Sequence, residues 1–320
     1  MRVVRADGAG GPEVLVVHEV PRPEAKAGEV LIEVTAAGMN RGDVMQRHGH
    51  YPPPEGVTDV LGLEVSGTIA EVGDGVEGWS PGDECVALLA GGGYAEYVAV
   101  DARQVIRPPR GMDLVTAGGF IEVAATVISN LDLAELTSGE TFLVHGGAGG
   151  IGSFAIQYAK SLGAKVVATA GQLQKLDLCR ELGADVAVSY HDDWAAAVKD
   201  LGGVDVILDS IGAKYLDDHV SLLKRDGRMV TIGLQKGRRA ELDLGMLLGK
   251  RGTLMATTLR SRSAEEKAKI LARVAEVTQE GFANGVFRCV PVREFALDDV
   301  RAAHEFFDSG DHTGKLVLRP

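Results

Sequence analysis

The run Thr141–Gly152, TFLVHGGAGGIG, constrains this chain more than any other segment. A short apolar strand leads straight into glycines, and FAIQYAKSLGA follows with helical spacing. Gly147, Gly149 and Gly152 fit G-x-G-x-x-G between a strand and a helix, the layout of a dinucleotide-binding turn. Glycine permits the tight turn and lets backbone N–H groups, with Gly150 and Ile151 in the run, approach a pyrophosphate. The helix N-terminus then faces the negative charge.

With 320 residues, 45% of them hydrophobic, the chain has room for two domains and a substantial core. Its 42 glycines suit many strand–helix turns. A net charge of −12 repels phosphate backbones and anionic lipid, which argues against nucleic acid or a membrane as the main partner. Cys85, Cys179 and Cys289 are widely spaced and form no C-x-x-C pair, so neither a disulfide framework nor a cysteine-rich zinc lobe is indicated. The start, MRVVRADGAGG, lacks the apolar core of a signal peptide. Thr141–Ala159 has no Asp, Glu, Lys or Arg, yet its glycines, His145 and Gln157 mark a buried strand and helix, not a membrane span. The expectation is a soluble cytoplasmic protein.

The first third reads as strands: LIEVTAAGMN, GLEVSGTIAEVG, ECVALL and YAEYVAV, separated by PRPEAKAGE, DGVEGWSPGD and AGGG. That pattern predicts an antiparallel β domain, a distorted barrel in outline. From about Glu122 strands alternate with short helices: TFLVH, KVVATA, VAVSY, VDVILDS, RMVTIG and TLMATTL are the strands. Alternation of this kind predicts a parallel sheet covered on both faces. The tail, SAEEKAKILARVAEVTQEG and then strand, helix and strand, departs from these repeats and has the makings of a return to the first domain.

These residues resemble the medium-chain dehydrogenase/reductase superfamily, within it the zinc-free quinone oxidoreductases related to ζ-crystallin, and among those the p53-inducible group. The resemblance runs through AAGMNRGDVMQRHGHYPPP, LGLEVSGTIAEVG, GDECVALLAGGGYAEYV, HGGAGGIG, LDSIG, TTLRSR and HTGKLVL, in order along the chain. It implies an α/β protein: a GroES-like β-barrel catalytic domain over residues 1–121 and 262–320, and a Rossmann doubly wound parallel sheet over 122–261. It also places the active cleft between the two and implies a homodimer joined through the last strands of the sheet, near Gly252–Thr258.

Zinc-dependent relatives carry a cysteine where this chain has Asn40 and a histidine where it has Leu63. Neither replacement is a thiolate or an imidazole, so no zinc is expected. His48, His50 and Asp43 offer an alternative metal cluster, but His-x-His on a loop usually stays in solvent. For the nicotinamide cofactor, the second strand ends Ala170, Gly171, Gln172, with no carboxylate to hold a ribose 2′-hydroxyl. A 2′-phosphate then has room, and Lys175 is placed to pair with it, which favours NADPH. The family usually has a small polar residue where Gln172 stands. Tyr190 matches the family tyrosine at the adenosine phosphate; both it and Lys175 also read as ordinary surface residues.

Without a metal, a good hydride acceptor is required, so quinones and activated enones are the expected small-molecule substrates. By resemblance Asn40, Tyr51 and Asp43 line the catalytic site. Asn40 would donate to a substrate oxygen or hold the nicotinamide ribose, and Tyr51 would stack on a flat ring or donate its hydroxyl. The plainer readings are an αL turn at Asn40, a structural cap at Asp43 and a stiff Tyr-Pro-Pro-Pro loop. Thr126, Gly233, Leu234, Leu259 and Lys315 carry over as cofactor contacts, and Arg260 with Arg262 reads as a basic pair on a solvated flank. Enoyl or alkenal reduction and a crystallin-like NADPH-binding role without turnover are the alternatives.

Lys175→Ala is expected to weaken NADPH binding far more than NADH binding, by roughly 1.5–3 kcal/mol for one charge-assisted contact. Titration of both cofactors against the variant checks this, and equal losses would remove Lys175 as the phosphate partner.

Overall fold

The computed structural model describes Met1–Pro320 and divides into two compact units, Met1–Ala125 with Leu259–Pro320, and Thr126–Thr258. The boundaries place Glu122–Ala125 and Leu259–Ser261 with the first unit.

In the first unit, six strands follow one another across a sheet: Val292–Ala296, Lys315–Arg319, Glu29–Gly38, Glu64–Val72, Glu84–Leu88 and Val105–Ile106. A seventh, Tyr97–Asp101, also pairs with Glu29–Gly38. All pairings are antiparallel except that of Val292–Ala296 with Lys315–Arg319. The tail therefore does return: Val317 sits opposite Gly38 and Leu318 opposite Ala37. Register shifts at Leu31/Ile32 and Val34/Ala36 bend the long central strand. Its inward residues Val30, Ile32 and Val34 pack with Leu61, Val65, Tyr94, Leu316 and Leu318.

Two elements here were not read from the sequence. Arg2–Ala6 and Leu15–Glu19 form a separate hairpin. Arg41–Arg47 is a short helix, and Asn40 at its N-cap is extended (φ −133°, ψ 156°), so the αL reading of Asn40 is corrected. Buried Arg47 pins this helix to the rest of the unit. Its guanidinium donates to the Gly10 carbonyl at 3.2 Å and pairs with Asp308 at 2.7 Å on the C-terminal helix Val300–Ser309.

In the second unit, six parallel strands run in the order Val186–Ser189, Lys165–Ala170, Thr141–His145, Val204–Asp209, Leu223–Thr231, Thr253–Ala256. By chain order that is 3-2-1-4-5-6, the doubly wound arrangement. Its order reverses between the first and fourth strands, where ligands bind at the carboxyl ends. The turns after His145 and Asp209 sit at that point.

His145, just before the glycines, is buried against Trp194 and Tyr215, and its Nε2 lies 2.8 Å from Nε2 of His219. Burial holds both imidazoles neutral, His145 lowered to about 3 and His219 to about 4. The folded values lie below the ordinary imidazole range. The stability this pair contributes is thus complete above about pH 6.5 and is lost as the pH falls from there through about 4 and on to about 3. Urea midpoints are expected to drop across that window, at no more than about 1.4 kcal/mol per pH unit for each histidine. A His145→Phe/His219→Leu variant that fell just as steeply would assign the loss elsewhere.

Candidate functional site

The first unit gathers its polar chemistry where the long strand ends and the short helix begins. Glu64 is fully buried, and both oxygens of its carboxylate accept hydrogen bonds. Oε1 accepts from Lys315 Nζ at 2.7 Å and from Asn40 Nδ2 at 2.9 Å, and Oε2 accepts from the Glu122 backbone N–H at 3.0 Å. Gly38 has no alternative here, because a Cβ would run into the Glu64 carboxylate.

The resemblance directs Lys315 toward a cofactor, and the structure corrects that. It is 6% exposed, and its three N–H donors go to Glu64, to the Met39 carbonyl and to Asn40 Oδ1, the last two at 2.8 Å. Asn40 is fixed in turn. Lysine only donates and carboxylate only accepts, so the amide has one possible orientation. Both Nδ2 hydrogens are used, on Glu64 and on the Gly38 carbonyl at 3.3 Å. Asn40 therefore presents a free lone pair on Oδ1, which suits a ribose hydroxyl or a carboxamide N–H and not a substrate carbonyl.

Asp43 also moves out of the catalytic set. It is fully buried, and its oxygens accept from the Asn40 N–H at 2.8 Å, the Gly62 N–H at 3.0 Å and the Tyr94 hydroxyl at 3.1 Å. Burial raises its pKa to about 6 against the pull of those bonds. It is the cap that closes the helix start, with no face left for a substrate.

Tyr51 remains half-buried and available. Arg260 holds it: the guanidinium lies 5.0 Å from the ring centroid and donates to the Tyr51 carbonyl at 3.1 Å. The same group donates to the Ala90 carbonyl at 2.6 Å and to Gln46 at 2.7 Å, and Arg260 is only 5% exposed. It is a brace, not a solvated flank. Two further groups were missed. Glu122 is half-buried, and desolvation with the nearby Glu64 charge raises its pKa to about 8. Lys267 is 3% exposed, and burial lowers its pKa. A signal for Lys267 existed: with Leu271, Val274, Thr278 and Gly281 it forms the buried stripe of the helix Ala264–Ala283.

In the second unit the glycine turn has the shape a dinucleotide needs. A Cβ on Gly147 would stand 2.6 Å from Cys179 Sγ, and one on Gly152 would strike the Gly146 carbonyl. Gly149 is the N-cap of the helix Gly150–Ser161, which leaves the N–H groups of Gly150 and Ile151 without intrahelical partners. Gly171 lies under Tyr190, whose hydroxyl occupies the place of a Cβ, and the tyrosine is 46% exposed. Gln172 is the N-cap of the helix Leu173–Glu181, so Lys175 projects from its first turn. Gly233 backs onto the Ser210 carbonyl, and half-exposed Leu234 follows. Thr126 opens this unit, nearly buried in the helix Ile121–Leu133, and Leu259 falls just past its end, half-buried in the first unit.

The chain matches the family described as the alcohol dehydrogenase GroES-like domain over residues 26–110, and that described as zinc-binding dehydrogenase over residues 150–276. It is 33% identical to a quinone oxidoreductase of Salmonella typhimurium, over 97% of each chain. It is also 30% identical, over 98% of its length, to a phenolphthiocerol/phthiocerol polyketide synthase protein of Mycobacterium tuberculosis, of which it spans only 14%. Among solved structures, an Escherichia coli quinone oxidoreductase complexed with NADPH superposes with a TM-score of 0.88 at 30% identity, covering 100% of this chain and 99% of that one. The CurK enoyl reductase gives 0.85 at 25% identity, covering 99% and 98%.

Lys315→Met is expected to destabilise the first unit by roughly 3–5 kcal/mol, because it leaves Glu64 charged, buried and without its cation. Adding Glu64→Gln should recover a large part of that loss. Chemical denaturation of the two variants checks this, and an additive double variant would show that the pair is not coupled.

Proposed function

Because the chain belongs to the quinone oxidoreductase family of the medium-chain dehydrogenase/reductase superfamily, we propose that it reduces quinones with NADPH and without zinc. The observation that carries the zinc-free reading is Lys315. Its ammonium lies 2.8 Å from Asn40 Oδ1 and 2.7 Å from Glu64, and Asp43, the other carboxylate beside Asn40, is taken up by three protein donors. Leu63 is a buried apolar side chain, and no three His, Cys, Asp or Glu side chains converge anywhere in the chain. The donor set does not suit a catalytic metal.

NADPH supplies the hydride when bound. Its pyrophosphate fits the turn from Gly147 to Gly152. The absence of a carboxylate at Ala170–Gln172, with Lys175 one helical turn on, supports the 2′-phosphate form, as do relatives solved with NADPH. Gly171 and Tyr190 are proposed to border the adenosine phosphate, and Gly233 and Leu234 to wall the far end. Thr126, Leu259 and Asn40 Oδ1 remain proposed contacts for the nicotinamide half. Tyr51, braced by Arg260, offers a flat ring for a planar substrate to stack on.

Enoyl reduction is the second reading, supported by the likeness to the CurK enoyl reductase. A homodimer is proposed through the edge strand Thr253–Ala256, which pairs on one side only. Leu244 (69% exposed) and Leu248 (80%) lie on the neighbouring helix. An uncovered apolar edge of this kind favours pairing with a second copy.

NADPH oxidation is expected with 9,10-phenanthrenequinone, undiminished by chelator, and Tyr51→Ala should raise KM more than it lowers kcat. Light scattering of the same preparation should give twice the chain mass. Alkenal turnover alone would move the assignment to enoyl reduction, and chelator-sensitive turnover would overturn the zinc-free reading.

A further inference from the structure

The motif LDSIG, Leu208–Gly212, lies outside the glycine turn, at the end of the fourth parallel strand, Val204–Asp209. Asp209 is 1% exposed, and its carboxylate gathers donors from two strand exits. Oδ1 accepts from the backbone N–H groups of Ile211 at 2.8 Å and Gly212 at 3.1 Å. Oδ2 accepts from the Gly212 N–H at 3.2 Å and from the Thr231 hydroxyl at 3.2 Å. Thr231 ends the fifth strand, Leu223–Thr231, and sits opposite Asp209 in register. One buried side chain thus ties the two exits together.

Residues 232–243, beyond the fifth strand, have neither helix nor strand, yet the start of this loop is laced to the LDSIG turn backbone to backbone. The Ile232 N–H donates to the Asp209 carbonyl at 2.7 Å, Gln235 to Ser210 at 3.2 Å and Lys236 to Ile211 at 2.8 Å, and the Ala213 N–H donates to the Gly237 carbonyl at 3.0 Å. Such lacing needs close approach. Gly212 has φ +80°, and a Cβ there would stand 2.7 Å from the Gly237 carbonyl oxygen. A Cβ on Gly233 would stand 3.0 Å from that of Ser210. Gly233 and Leu234, proposed to border the cofactor, therefore take their position from the exit of the fourth strand.

The strand order says which part of a dinucleotide would meet them. With the pyrophosphate on the turn after the first strand, the second and third strands, which lead to Gly171 and Tyr190, lie to one side, and the fourth and fifth lie to the other. Adenosine takes the first side, so the nicotinamide half takes the second.

We propose that Asp209 is a positioning residue for the nicotinamide half of the cofactor: it ties the two exits so that the loop bearing Gly233 and Leu234 is in place before the cofactor arrives. The inference rests on the NADPH reading. Asp209 acts through the backbone it holds, since its oxygens are taken by protein donors.

The test uses the full chain with two ligands, NADPH and 2′,5′-ADP, which carries the adenosine half and its 2′-phosphate but no nicotinamide. Asp209→Leu removes both acceptor oxygens. It should raise the Kd of NADPH roughly tenfold, because only a fraction of molecules then hold the loop in place, and leave that of 2′,5′-ADP unchanged. Asp209→Asn keeps one carbonyl oxygen for the Ile211 and Gly212 N–H groups and should recover most of the loss. A general loosening of the unit would weaken both ligands alike. If Asp209→Leu does not fold, Gly212→Ala decides: its methyl group parts the two loops with Asp209 intact and should bring the same selective loss. Amide exchange in the cofactor-free wild type needs no substitution, and Ile211, Gly212 and Lys236 should exchange slowly. Unchanged NADPH affinity in a folded Asp209→Leu or Gly212→Ala variant, equal losses of both ligands, or fast exchange at those amides overturns the positioning role, while wild-type binding of NADPH upholds the cofactor reading. A wild type that binds neither ligand overturns the cofactor reading and the positioning role with it.

Discussion

A lysine five residues from the end of the chain in the sequence holds the first unit in register. The strand that carries Lys315 pairs with the central strand at only two positions, Val317 with Gly38 and Leu318 with Ala37. The ammonium adds bonds to Met39, Asn40 and Glu64 just beyond that short ladder. Taking a carboxylate and an ammonium out of water is unfavourable, and the penalty is offset only when both ions find near-complete hydrogen bonding. Here they do. The requirement spreads outward: Gly38 must lack a Cβ, Asn40 must hold one amide orientation, and the Glu122 N–H must face inward. Asp43 then closes the helix that begins at Asn40, and Arg47 carries that helix to the C-terminal one.

The dinucleotide turn was legible in the sequence because its glycines are demanded locally. Gly147 and Gly152 meet neighbouring atoms where any side chain would begin, and such constraints leave the same residue type at the same spacing. The parallel strands were legible because a strand buried on both faces must be a short apolar run. The helix Arg41–Arg47 was not, since seven residues with one glycine carry too little periodicity, and its stability comes from the cap and from Arg47. For the same reason Lys315, Asp43 and Arg260 could not be sorted by residue type. A lysine that reaches a ligand and a lysine locked in the interior look alike until the strand pairing is known.

The second unit treats its polar groups in the opposite way. Its interior histidines are kept neutral by burial, while the turn beside them leaves backbone donors without intrahelical partners at a helix start. Backbone N–H groups without intrahelical partners at a helix start suit an anion that must bind and leave. The first unit instead commits nearly all its donors to itself.

That commitment bears on which substrates the proposed chemistry favours. Asn40 Nδ2, Lys315 Nζ, the Arg260 guanidinium and the Tyr94 hydroxyl are each bonded to a protein acceptor. What remains at Tyr51 is its own hydroxyl, which has no protein partner. A simple ketone needs strong polarisation before it accepts hydride, and few donors are left to supply it. A quinone draws hydride by the electronic structure of its own ring and asks mainly for a flat surface and, afterwards, a proton. The ring of Tyr51 is the flat surface proposed for the first need, so under that reading the same bonds that stabilise the fold also narrow the chemistry toward acceptors that are already electrophilic.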